Sequence, residues 1–283
     1  LNPPYGTTIV DVSDPTKPRI VSRIMLDGED THTHKVRVIG DLMFTNFEMY
    51  NRYFFRRGDN IPEYTARLKG ELGRAPSDAE LAHALTEDLY VGGKKKVLTE
   101  DDIPILRQAC ERGYHDGGFK IYDISDKTEP KLIKHQRTHS WGSHRFDVDE
   151  NYIYVSTEWE GYVGNILVIY DIRDPARPEY VSHWALPGQH VAGGETPTWN
   201  ADDNRVHHGM RHGDKIWVGA LWGGFYVVDV SDITQPRTVG HYNYHPPFPE
   251  PTHTILPVPF QVAGRDIAVV ADRPEVGRNL QDH

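Results

Sequence analysis

Alternating apolar and polar positions recur in four copies along this chain, within residues 6–19, 118–131, 165–179 and 224–237. Each copy opens with a short run of β-branched and aromatic residues, which favours a β-strand. Because Asp bonds to nearby backbone N–H groups and Pro fixes φ, the polar run that follows predicts a tight turn leading into another short strand. The spaced turn residues are Asp11, Asp14 and Pro18; Asp123, Asp126 and Pro130; Asp171, Asp174 and Pro178; and Asp229, Asp232 and Pro236.

A second hairpin pattern precedes three of these copies, at residues 34–48, 144–160 and 207–222. Each unit then has four antiparallel strands, which is the repeat typical of a propeller blade. Residues 5–26 supply the outer two strands of one further blade, and residues 252–271 supply an inner pair. We therefore predict an all-β fold, a β-propeller of four-stranded blades in which residues 1–283 form a single domain, and whether the domain is complete at its termini stays open.

The strand sequences IVDVSDP and VVDVSD in this chain resemble those of the LVIVD-repeat β-propellers. The resemblance covers nearly all of the chain except the segment from Tyr50 to His115. It implies a propeller with room for further blades. It implies no particular activity, because members of this family are mostly without an assigned one.

Residues 50–115 interrupt one blade between its second and third strands. Ser77 and Glu80 form a capping box that predicts a helix running to about Tyr90. Thr99 with Asp102 predicts the start of another helix, ending near Arg112. We predict that this helical insertion is either a lid over the propeller or a homo-oligomer contact.

Histidines recur at one blade position, since His34, His144 and His207 each lie seven residues before a hairpin turn. The innermost strand lines the channel of a propeller, so equivalent residues from different blades converge on its axis. His253 occupies the analogous start of the last inner strand. Imidazoles bind divalent transition metals, so we predict a channel metal, with Fe(II) first and Zn, Cu, Ni or Mn as alternatives.

Two other interpretations of these histidines stay open. The four rings could line the channel as hydrogen-bonding groups without a metal. A rival alignment would replace one of the four ligands by His32, His139 or His208.

Two glutamates also correspond, because Glu48 and Glu158 lie fourteen residues after His34 and His144. In a tight hairpin these positions come opposite one another, which would let each carboxylate accept the second N–H of a ligand imidazole. The same carboxylates are candidate catalytic proton carriers. The alternative is that they are ordinary exposed residues at strand ends.

The insertion and the long connections 187–205 and 241–251 are predicted to emerge on the face where the histidines begin. Loops on a rigid scaffold often carry binding and catalysis, so this face suggests a substrate cavity. We predict a metal-dependent enzyme that acts on a small substrate, aromatic compounds included, by oxygenase or lyase chemistry or with a metal-activated water. The competing hypothesis is a non-catalytic propeller scaffold that binds a protein partner.

Charge and composition limit the classes of binding partner that we expect. The chain has 31 basic and 41 acidic residues, and its net charge of −10 disfavours nucleic acid and anionic membranes, which leaves small molecules. Cys110 is the single cysteine, so no internal disulfide forms, and no apolar run of about 18 residues predicts a membrane span. We expect a cytoplasmic location by default, with secretion left open because the sequence starts at Leu1.

Overall fold

The computed structural model describes residues 5–26, 31–49, 52–55, 57–86, 90–91, 94–95, 97–112, 117–198, 204–245, 248 and 250–272. Most of these residues lie in short antiparallel strands. In chain order the strands are β1 (Tyr5–Asp11), β2 (Arg19–Met25), β3 (Thr31–His32), β4 (Val36–Ile39), β5 (Leu42–Met49), β6 (Tyr90–Val91), β7 (Lys94–Lys95), β8 (Gly118–Asp123), β9 (Lys131–Arg137), β10 (Ser143–Val148), β11 (Tyr152–Thr157), β12 (Ile166–Asp171), β13 (Glu179–Trp184), β14 (His208–His212), β15 (Lys215–Gly219), β16 (Phe225–Asp229), β17 (Arg237–Tyr242), β18 (Thr252–Pro257) and β19 (Ala268–Asp272).

Three of the sheets are complete blades. Strands β10 to β13 and strands β14 to β17 each pair in chain order as an antiparallel meander. The blade before them has β4, β5, β8 and β9 in that order, with β3 also pairing to β5. Two-stranded sheets, β1–β2 and β18–β19, lie at the two ends of the series. The prediction of an all-β propeller of four-stranded blades with a helical insertion is confirmed.

The turns of the repeat are built alike in all four copies. The first Asp of each turn accepts a hydrogen bond from the backbone N–H two residues on, as in Asp11 to Ser13 (2.9 Å) and Asp229 to Ser231 (2.9 Å). The strand pair on either side of each turn also carries a register shift at the same place. The hydrogen bond from the backbone to the Asp side chain therefore explains why the same turn sequence recurs in each copy.

The core lies between adjacent blades, and strand β12 shows how. Leu167 and Ile169 pack with residues of the next blade, such as Ile216. The alternating residues Ile166 and Val168 pack towards the preceding blade, in a cluster that includes Phe119. Because both faces of this strand are covered, its sequence is a nearly unbroken apolar run rather than an alternation.

The insertion between β5 and β8 contains four helices among its described residues: α1 (Arg52–Phe55), α2 (Ile61–Leu72), α3 (Asp78–Leu85) and α4 (Asp102–Arg112). They have an apolar core of their own, which includes Leu81, Leu85 and Leu106. Phe55 of α1 stacks on Trp141 of the propeller, with ring centroids 5.7 Å apart.

The helix boundaries in the insertion differ partly from the sequence predictions. The capping box of Ser77 and Glu80 is present and starts α3 as predicted. The helix ends at Leu85 rather than near Tyr90, because the Thr86 hydroxyl donates to Ala82 O and accepts from Leu98 N, which ties the helix end to the next segment. The pattern did not predict α2. None of the described helices is long and apolar enough to cross a bilayer.

Candidate metal centre

The predicted histidines lie at or just before the start of the innermost strands, and two of them are at irregularities in strand pairing. In β10, Ser143 pairs with Thr157 and Arg145 with Ser156, so His144 is the extra residue of a bulge. In β18, Thr252 pairs with Asp272 and Thr254 with Ala271, so His253 is the extra residue there. Bulges re-aim side chains, and here they turn the imidazoles out of the regular alternation.

The four imidazoles form a row. Neighbouring ring centroids lie 5.2 Å apart for His34 and His144, 4.9 Å for His144 and His207, and 4.1 Å for His207 and His253. Among the described residues, the group of three potential ligands whose ligand atoms all lie within 4.8 Å of one another is His34, Glu48 and His144. The structure thus brings all four histidines together, each ring beside the next, and we call this set the histidine row.

Glu48 lies against His144 of the next blade. Its carboxylate oxygens are 3.0 and 3.2 Å from His144 Nδ1, and the side chain is almost fully buried. The strand partner of Glu48 within its own hairpin is His32 rather than His34. The carboxylate therefore serves the histidine of the adjacent blade, a relation that hairpin spacing alone does not contain.

His207 has a defined tautomer. Its Nδ1 is 2.9 Å from the backbone carbonyl of His253, and a carbonyl only accepts, so Nδ1 carries the proton. Burial lowers the pKa of His207, and the His144 and His253 rings lower it further. The ring is therefore neutral, with a bare lone pair on Nε2.

The Nε2 atoms of His144 and His207 face each other at 3.1 Å. The Glu48 carboxylate accepts the Nδ1 proton of His144, which leaves a lone pair on Nε2 of the neutral ring. Two lone pairs at this distance repel unless a cation lies between them. That cation is either a metal ion or a proton carried by a His144 imidazolium paired with Glu48.

His34 presents the opposite tautomer. Asn46 is fully buried, and its Oδ1 accepts from the backbone N–H groups of His34 and Lys35, so its amide orientation is fixed. Its Nδ2 then donates to Ser143 O and, at 3.2 Å, to His34 Nδ1. The neutral His34 ring consequently carries its proton on Nε2, and ligation through that atom requires this hydrogen bond to change.

His253 is held at the other end of the row by Arg145. Arg145 Nη2 donates to His253 Nε2 at 3.1 Å, while His253 Nδ1 lies 2.7 Å from the Thr254 hydroxyl. Because Arg only donates, His253 Nε2 is the acceptor. In this arrangement both ring nitrogens of His253 are engaged by protein groups.

The other candidate residues lie beside the row or outside the described side chains. His208 is buried, its Nε2 donates to Phe146 O at 3.4 Å, and burial, with Arg145, lowers its pKa to about 3. Burial also lowers the pKa of His139, in the connection before β10. Glu158 follows β11 and is partly buried, outside the group of three potential ligands, and the side chain of His32 lies outside the described residues.

Two residues of this site were missed by the sequence reasoning. Asn46 sets the tautomer of His34, and Arg145 binds His253. Neither recurs at an equivalent position in the other blades, so the repeat did not point to them. The signal that could have found Arg145 is its place directly after His144, but ordinary strand alternation would have aimed it away.

The fold and the row of histidines define a class of protein, a β-propeller with polar side chains gathered where its inner strands begin. The LVIVD repeat family model matches residues 6–25, 113–138, 144–184 and 212–244, and the chain belongs to this family of propeller-like repeat proteins. A comparison with curated proteins gave no match.

Proposed function

We propose that this protein is a metal-dependent enzyme whose divalent transition metal is held by His144 and His207. The pair of opposed Nε2 atoms, 3.1 Å apart, carries the proposal. Two imidazoles bound to one metal at about 2.0–2.1 Å, at angles between 90° and tetrahedral, place their nitrogens about 2.9–3.4 Å apart. The two rings therefore already have the spacing of adjacent ligands.

Neighbouring residues support ligation. Glu48 holds the Nδ1 proton of His144, which fixes the tautomer that a ligand needs and raises its basicity. The His253 carbonyl does the same for His207. His34, whose ligand atom lies within 4.8 Å of those of His144 and Glu48, is a candidate third ligand.

The candidate ligands and Glu48 differ in how far their side chains are exposed to solvent. His34 is exposed and His144 is partly exposed, while Glu48 and His207 are buried. A small substrate would reach the metal from the His34 side. A bound metal supplies Lewis acidity or an activated water, and Fe(II) would also supply oxygen chemistry. Glu48 acts in this scheme as a positioning residue for His144, rather than as the catalytic proton carrier that its sequence position suggested.

Metal analysis of the purified chain tests the proposal. After incubation with Zn(II) or Fe(II) and removal of excess ion, we expect near-stoichiometric metal that is lost in His144→Ala and in His207→Ala. The matched control is His212→Ala, because His212 is exposed in the hairpin at the far end of β14 and should leave metal content unchanged. Hydrolysis of 4-nitrophenyl acetate by the zinc form should fall with the metal.

If the wild-type chain binds none of Zn, Fe, Cu, Ni or Mn, the proposed metal site is wrong. The opposed nitrogens would then share a proton between His144 and His207. Metal binding without any turnover, together with capture of a protein partner, would instead favour the scaffold hypothesis.

A further inference from the structure

The two-stranded sheet β1–β2 occupies the place of the outer half of a blade. Ile9 of β1 pairs with Ser22 of β2, and a register shift follows at the next residue. The outer pair β12–β13 has the same register and the same shift, with Ser182 in the place of Ser22. The Ser22 hydroxyl donates to Lys127 O in the turn of the adjacent blade at 2.8 Å, and the Ser182 hydroxyl donates to Ile233 O in the equivalent turn at 2.6 Å. The sheet β1–β2 therefore docks as the outer pair of a blade that would precede the blade of β4, β5, β8 and β9.

The sheet β18–β19 occupies the place of the inner half of a blade. Its ladder has a bulge at His253, just as the inner pair β10–β11 has a bulge at His144. It packs against β14 and β15 of the third complete blade. Ile255 is almost fully buried on that side, as is the equivalent Phe146 of β10. The sheet β18–β19 therefore docks as the inner pair of a blade that would follow β14 to β17.

Each half blade leaves an apolar surface uncovered. Val269 of β19 is 58% exposed, whereas the equivalent Tyr154 of β11 is fully buried against the next blade. Val36 of β4 is 45% exposed, whereas the equivalent Phe146 of β10 is buried against the preceding blade. Because Val36 and Val269 both stay exposed, the described part of a single chain does not cover these two surfaces with each other.

We propose that two copies of this chain close one propeller, in which β18–β19 of each copy and β1–β2 of the other form a four-stranded blade. Each half supplies what the other lacks, and the pairing covers a strand edge on both. The ring would have eight blades, within the usual range, with the two copies related by a two-fold axis along the channel. Val269 of one copy would then face Val36 of the other. This surface lies on the propeller rather than on the helical insertion, and it is independent of the proposed metal.

The complete blades also predict the register of the new strand pair. In β11 and β12, Tyr154 lies opposite Ile169. The equivalent residues are Val269 in β19 and Ile9 in β1. Val269 of one copy should therefore lie opposite Ile9 of the other, with Cβ atoms about 4.5–5.5 Å apart.

Cross-linking tests this register. Two variants in a Cys110→Ser background, which removes the single native thiol, carry Ile9→Cys and Val269→Cys separately, so that a link between them can form only between chains. They are co-expressed and treated with dibromobimane, which joins thiols only a few ångströms apart. We expect at least about 10-fold more two-chain product than when Val12→Cys replaces Ile9→Cys, because only Ile9 is a direct cross-strand neighbour. Val12 is the matched control, since it is exposed directly after β1.

Light scattering of the full chain measures the number of copies, and we expect the mass of two chains for the wild type. Val269→Asp and Val36→Asp should each raise the dissociation constant at least about 100-fold, because each places a charge in the apolar contact. Val239→Asp is the control, since Val239 is 50% exposed on the outer strand β17 of a complete blade. All three positions are exposed in the single chain, so the variants should fold, and circular dichroism checks this.

A single-chain mass at every protein concentration tested would overturn the inference. A two-chain mass that persists in both Val269→Asp and Val36→Asp would also overturn it, because another surface, such as the helical insertion, would then join the copies. A chain that carries both Ile9→Cys and Val269→Cys provides the last outcome. If dibromobimane links it within itself at single-chain mass, the ring closes within one copy and the second copy is excluded.

Discussion

The aspartates of the repeat turns and the histidines of the row both recur from blade to blade. The aspartates all have the same hydrogen-bond partner, whereas the histidines all have different ones. In the turns, Asp11, Asp123, Asp171 and Asp229 all make the same hydrogen bond to the backbone two residues on. In the row, each imidazole has a different partner. The partners are Asn46 for His34, Glu48 for His144, the His253 carbonyl for His207 and Arg145 for His253.

This contrast separates structural repetition from functional differentiation. The turn bonds join residues two apart, so identical sequence gives identical structure in every blade. The row is made by contacts between blades, and each blade has different neighbours. One repeated residue type therefore has four electrostatic environments, and in the proposed function the His144–His207 pair offers two lone pairs to one ion.

The largest expected effect comes from alanine substitution along the row, which should give unequal losses of metal affinity. His144→Ala and His207→Ala should abolish measurable binding, because each removes half of the pair. His34→Ala should weaken binding less, and His253→Ala least, since Arg145 and Thr254 already engage that ring. Zinc titration by calorimetry measures this order; four equal losses would show that the rings act as one symmetric cluster.

Glu48→Gln sharpens the comparison at a single partner. An amide can still contact His144 Nδ1, but it does not raise the basicity of the ring as the carboxylate does. We expect metal affinity to fall about 10–100-fold, the usual effect of losing such a partner. Glu158→Gln is the matched control, and an equal loss there would place both carboxylates at the metal.

Asn46→Ala tests the partner of His34, and the quantity measured is the stability of the fold. The change removes the acceptor for two backbone N–H groups, those of His34 and Lys35, in a fully buried position. We expect a loss of about 2–3 kcal/mol in the free energy of unfolding, because buried unsatisfied donors are costly. Urea denaturation measures it. A loss below about 0.5 kcal/mol would mean that water replaces the amide without cost.

The smallest effect is expected at the turns, and it depends on pH. The backbone N–H of Ser231 lowers the pKa of Asp229 from 3.8 to about 2. A lowered carboxyl pKa stabilises the fold above the unfolded value, and this contribution is lost as pH falls from about 4 to about 2. Asp229→Ala should therefore lower the melting temperature slightly at neutral pH and show a smaller further drop in acid.

Asp11→Ala should give the same small, pH-dependent change, since the pKa of Asp11 is also lowered to about 2 and first by a backbone bond, to Ser13. Thermal unfolding between about pH 5 and about pH 2.5, with the exposed Glu150→Ala as control, checks both variants. Metal affinity near neutral pH should be unchanged in each. Different behaviour of the two turns would contradict their equivalence.

Much of the fold was predictable because its determinants are local. The four-strand blade follows from alternation and turn residues, as in the unit around Asp171 and Pro178. The start of helix α3 at Ser77 was predicted correctly, but its end was not. The end depends on the hydrogen bond from Leu98 N to the Thr86 hydroxyl, which joins residues that are not close in sequence. Helix α2 was missed, since its contacts are with the other helices of the insertion rather than with a repeated pattern.

The sequence by itself determined the blade, its turns and the recurrence of histidine at one strand position, because each depends on residues close together along the chain. Only the tertiary structure decided that Glu48 faces His144 of another blade, that Asn46 holds the tautomer of His34, and that Arg145 reaches His253. These contacts join residues 12 to 108 positions apart and depend on bulges and on the order of blades around the axis, which periodicity does not encode.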